Sequence, residues 1–76
     1  MPISYKKYNT IKAHLALKGK MSKDLADYTK KSKQTVSHWC TNKRQPTIDE
    51  LFQVAEFLNV SPVDLLDLTD FKRQNQ

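Results

Sequence analysis

"SKQTVSHWCTNKRQPT", residues 32–47, decides the fold. Most of its side chains form hydrogen bonds or carry positive charge, yet Val36 and the chain's only tryptophan, Trp39, stand three residues apart within it. On a helix that spacing puts both on one face. Ser32 is a good N-cap and Asn42 suits the left-handed position that ends a helix, so the stretch predicts a helix over about 32–41. Pro46 prevents the helix from resuming. Val36 and Trp39 then anchor it to a core, with Cys40 beside them, and the opposite face is left free. On that face stand Lys33, Gln34, Ser37 and His38.

Immediately upstream, Leu25, Ala26 and Thr29 mark the inward side of a two-turn helix over about 22–29, with Met21 ahead of it as a hydrophobic contact. Two such short helices joined by so few residues are read as crossing rather than lying antiparallel. They cross steeply as a helix-turn-helix, whose second helix is shaped to enter a DNA major groove. Lysine and glutamine match guanine and adenine edges, and a neutral imidazole can donate or accept a hydrogen bond, so the free face carries base-reading chemistry.

Further out, Tyr5, Tyr8, Ile11 and Leu15 recur at helical spacing with lysines between them, which predicts a first helix over about 5–18 that Gly19 stops. Thr47 and Glu50 have the spacing of a capping box, and Ile48, Leu51, Val54, Ala55 and Leu58 carry a fourth helix to Asn59. "SPVD" at 61–64 repeats the start signal, with Ser61 as cap, Pro62 at the first helical position and Asp64 at the third. It predicts a short fifth helix through about Leu68. No strand alternation or repeat appears. The expectation is a single all-α domain over 1–76, with its core in about 5–68 and a tail at 69–76 without a pattern.

Seventy-six residues, 38% of them hydrophobic, allow one small core and no second domain. Cys40 is the single cysteine, which excludes an intrachain disulfide. "MPISYKKYNT" lacks the apolar run of a signal peptide, and no run approaches the roughly 18 residues of a membrane span. A soluble, cytoplasmic protein without membrane contact is expected. The net charge of +5 divides unevenly: residues 1–46 hold eleven Lys and Arg against two acids, and residues 47–76 hold two against six. That gives +9 and −4, a dipole with one face suited to a polyanion. His38 and Cys40, two residues apart, diverge by about 200° on a helix, which defeats a shared metal or a Cys-His dyad. No HExxH, paired CxxC or glycine-rich phosphate loop is present, so no enzyme, metal or cofactor is expected.

"LA" at 25–26, "TVSHW" at 35–39, "NKRQP" at 42–46 and "LNVSPVDLL" at 58–66 resemble the XRE-like or Cro-like helix-turn-helix family of bacterial and phage transcriptional regulators. The resemblance runs over residues 9–66, about three quarters of the chain. It implies a compact, five-helix, lambda-repressor-like domain whose helices 2 and 3 form the helix-turn-helix and whose third helix reads bases as part of a dimer. Lys33, Gln34 and His38 fall where the family reads bases, with Ser37 an addition. Ser22 falls where the family often has a phosphate-holding glutamine. Ser32, Thr35, Asn42, Lys43 and Arg44 fall where cap, helix and following loop meet the DNA backbone. Three departures stand out: Lys30 replaces the glycine of the turn, Thr29 and Lys31 replace apolar neighbours, and Cys40 replaces an acid. A left-handed lysine would cost on the order of 1 kcal/mol, so strain or a different turn is expected at Lys30.

A lone short recognition helix buries little surface, so a homodimer through the C-terminal helices is expected, with Val63, Leu65, Leu66, Leu68 and Phe71 in excess of one core's needs. The expected function is sequence-specific binding of double-stranded DNA as a repressor. A competing class is an antitoxin or adaptor whose main partner is another protein. A third is a charge-driven, nonspecific nucleic-acid binder.

Overall fold

The computed structural model describes residues 7–68. Within them lie four α-helices, α1 (Ile11–Leu17), α2 (Ser22–Thr29), α3 (Lys33–Cys40) and α4 (Ile48–Leu58), followed by a 3₁₀ turn, Pro62–Leu65. There is no strand among the described residues beyond one isolated antiparallel bridge between Asn9 and Leu66. None of these helices is long and apolar enough to cross a membrane.

All four helices end in the same way. A left-handed residue, Gly19, Lys30, Asn42 or Asn59, follows the last turn. The next residue's N–H reaches back five positions: Lys20 to the Leu15 carbonyl, Lys31 to Ala26, Lys43 to His38 and Val60 to Ala55, at 2.9–3.0 Å. This Schellman closure satisfies carbonyls that the helix itself leaves open. Only one of the four positions is glycine. Asparagine tolerates the left-handed region through its short polar side chain, whereas Lys30 at φ 59° bears a cost of about 1–2 kcal/mol. The turn between α2 and α3 therefore keeps the standard closure, with the strain held in a lysine. Thr29, buried just before it, donates to the Leu25 carbonyl at 2.8 Å, so its hydroxyl is satisfied within its own helix despite burial.

The core takes at least one pair of residues from each helix: Ile11 and Leu15, Leu25 and Ala26, Val36 and Trp39, then Leu51, Val54, Ala55 and Leu58, closed by Leu65. Tyr28 ties α2 to α4 through a 2.8 Å hydrogen bond to Glu56 and a ring contact with Phe57.

Two expected helices are shorter than their periodicity implied. The first starts at Ile11 rather than near residue 5, and Tyr8 is 53% exposed instead of facing inward. The cause is Asn9, whose side-chain Oδ1 accepts the Ile11 N–H, while the backbone of residues 8–10 is taken by the C-terminal segment: Thr10 N–H to Leu65 and Asp67 N–H to Tyr8. Tyr5 lies outside the described residues. The fifth helix is only the 3₁₀ turn, because Leu66 turns extended to meet Asn9. The architecture is thus four α-helices and a 3₁₀ turn, not five α-helices. Leu65 is fully buried and belongs to the core, not to a surplus surface, and Ile48 faces outward at 72% exposure.

The start of α4 is locked as its spacing implied. Thr47 accepts from the Glu50 N–H at 3.2 Å, and Glu50 accepts from the Thr47 N–H at 2.9 Å. The second oxygen of Glu50 pairs with Lys31 of the helix-turn-helix turn at 2.9 Å. The Thr47 N–H, aided by Lys31 against the opposing effect of partial burial, holds the Glu50 carboxyl below its usual range. A depressed folded pKa gives stability that is complete above the ordinary carboxylate range and disappears as pH falls from there through the folded value. Glu50→Gln keeps a capping amide but loses the charge. Urea melts are expected to place it below wild type by a few tenths to about 1 kcal/mol near pH 7, with the gap closing near pH 2. A gap that persists undiminished in acid would show that the ion pair contributes nothing.

Candidate nucleic-acid interface

The outer surface of α3 follows from its inner one. With Val36 and Trp39 buried, residues 33, 37, 34 and 38 span an arc of about 140° on the other side. Lys33, Gln34 and Ser37 are exposed and His38 is half-buried. Among the described residues, the side chains of Lys33, Gln34 and Ser37 make no hydrogen bond or ion pair, so their polar ends remain free for a ligand.

Ser32 caps α3 by accepting the Thr35 N–H at 3.0 Å, and its own hydroxyl donates to the Thr35 hydroxyl at 2.9 Å. That order leaves the Thr35 O–H as the outward donor. The free N–H groups of the first turn add the positive end of the helix dipole. Ser22 is the exposed first residue of α2 and shares a concavity of about 340 Å³ with Ser37, Lys12 and Lys20, so the starts of α2 and the face of α3 open on the same side.

Past the helix, the N–H groups of Lys43 and Arg44 both donate to the His38 carbonyl, at 2.9 and 3.2 Å, which folds the loop back under α3. Both side chains are exposed, and no acid pairs with either among the described residues. Asn42 has a different part. Its side chain is buried, with Oδ1 accepting from the N–H groups of Tyr8 and Asn9 at 2.8 and 3.0 Å and Nδ2 donating to the Asn9 carbonyl. That engagement buries the Asn42 side chain and leaves one of its two amide donors uncommitted, so among the expected backbone contacts it is far less accessible than Lys43 or Arg44. Asn9 and Gln45, which complete this network, carry no periodicity or capping spacing that marks them in the sequence.

Cys40 lies half-buried between α1 and α3. Burial pushes its thiol up, partly offset by Lys12, so it stays protonated near neutral pH and is a poor nucleophile. Among the described residues, no cluster of three or more His, Cys, Asp or Glu side chains is placed to hold a metal.

The helix-turn-helix family model matches residues 11–65. The chain belongs to this XRE-type family. The family match contains all four helices and the 3₁₀ turn, and every residue of the outer arc of α3. A crystal structure of a candidate DNA-binding protein from Bacteroides fragilis is similar at 47% identity, over 79% of this chain and 97% of that one, with a TM-score of 0.78. No curated protein matches.

Proposed function

We propose that the chain is a sequence-specific, double-stranded DNA-binding transcriptional regulator that reads the major groove with α3. One observation carries this: the outer arc of α3 presents Lys33, Gln34, Ser37 and His38 unengaged beside the unpaired cations Lys43 and Arg44. The first group matches base edges and the second matches phosphates, with Ser22, Ser32 and Thr35 as further backbone contacts. The Bacteroides fragilis relative supports the same partner.

Two copies reading half-sites about 34 Å apart would supply the affinity that one short helix lacks. Val63, Leu66 and Leu68 remain exposed on the C-terminal side and form the proposed dimer surface; Phe71 lies outside the described residues. With no cofactor invoked, regulation follows from site occupancy in the cytoplasm, and blocking a promoter makes the regulator a repressor. Selection from a random duplex pool at about 150 mM salt tests this, and a palindromic motif is the expected product. The exposed pair Ile48 and Phe52 on α4 favours a second role, as an antitoxin or adaptor docked on another protein. Under that role the selection yields no motif.

A further inference from the structure

Lys43 and Arg44 stand on a short arch between Asn42 and Gln45, and one buried residue holds both of its feet. Asn9 is 5% exposed. Its amide nitrogen donates to the Gln45 side-chain oxygen at 2.7 Å and to the Trp39 carbonyl at 3.0 Å. Its backbone N–H donates to Asn42 Oδ1 at 3.0 Å, and its carbonyl accepts from Asn42 Nδ2 at 3.2 Å. Gln45 closes the ring by donating to Asn42 Oδ1, also at 3.2 Å. Both donors of the Asn9 amide are used and its oxygen accepts the Ile11 N–H, so only one orientation of the side chain fits. The bridge to Leu66 fixes Asn9 in turn from the C-terminal side.

We propose that Asn9 is a positioning residue for DNA binding, acting through Lys43 and Arg44 without touching nucleic acid itself. The inference rests on the DNA-binding function proposed above. Charge attracts phosphate from a distance whatever the loop's geometry, but a bound loop that was loose beforehand must be ordered at the moment of binding. That ordering subtracts from affinity. An arch pinned at 42 and 45 is ordered already, and the pin comes from a residue more than thirty positions away in the chain.

The test is a cycle of variants on the selected duplex. Asn9→Ala is expected to weaken binding roughly tenfold in the wild-type background and less than about twofold in Lys43→Ala/Arg44→Ala. The loss should lie in faster dissociation, because the steering charges remain. A role in folding alone would instead lower binding equally in both backgrounds. Circular dichroism at the assay temperature shows whether Asn9→Ala is folded; if it is not, Gln45→Ala, which removes one foot at an exposed position, carries the same cycle with a smaller loss. Equal losses in both backgrounds overturn the inference while leaving DNA binding intact. Failure of Lys43→Ala/Arg44→Ala to weaken binding overturns the inference alone, whereas failure of any duplex to bind overturns the DNA-binding function and the inference together.

Discussion

Lys33→Ala/Gln34→Ala is expected to bind the selected duplex scarcely better than an unrelated one, while melting within about 0.5 kcal/mol of wild type. Each bidentate base contact contributes roughly 1–3 kcal/mol of discrimination, and a dimer presents both residues twice. Four lost contacts span roughly 4–12 kcal/mol if they add, and adjacent residues couple, so the lower part of that range is the safer figure. Even that matches the lower end of the typical preference of about 4–10 kcal/mol for specific over random DNA. Stability is spared because both side chains are exposed and bond to nothing in the described fold. Removing Lys33 from a helix start also relieves an unfavourable charge at the positive end of the dipole. Competition binding against random duplex, run beside a thermal melt, separates the two effects. An unchanged motif in the variant would show that α3 is not the reading helix.

Trp39→Ala strikes the opposite face of the same helix. The tryptophan is 2% exposed and is the largest fully buried side chain. Truncating a buried aromatic to alanine costs about 3–5 kcal/mol. A 76-residue domain has a total stability of roughly 4–11 kcal/mol, so the variant should be partly unfolded at 37 °C or near it. Two hydrogen bonds make the position more sensitive still, because the Trp39 carbonyl receives the Asn9 amide and the Asn42 N–H and any shift of α3 disturbs both. Urea unfolding followed by circular dichroism gives the value, since the variant has lost the only tryptophan and with it the fluorescence probe. A loss below about 1 kcal/mol would mean that the core repacks freely around the vacancy.

What could be read from the chain beforehand was what lies within a few residues of its own cause. Ser32, Thr47 with Glu50, and Ser61 with Asp64 cap helices through bonds spanning two or three positions, and Asn42 and Asn59 end them just as locally. The outer arc of α3 followed from Val36 and Trp39 alone. Tyr8 misled because its spacing fits a helix, and nothing nearby reveals that Asn9 is claimed by Asn42 and Leu66 from 33 and more residues away. Leu66 misled for the same reason from the other end. The burial of the Asn42 side chain was equally hidden, because its partners, Tyr8 and Asn9, approach only once the chain is folded.

The division of α3 into two faces with separate duties has an evolutionary consequence. The side chains at 33, 34 and 37 bond to nothing within the described fold, so under the proposed base-reading role exchanging them rewrites the recognised sequence without asking the core for any compensation. A new target site is therefore only a few surface codons away, while Val36 and Trp39 stay fixed beneath. Such a scaffold can be copied and its duplicates can diverge onto separate promoters, each step remaining a folded protein.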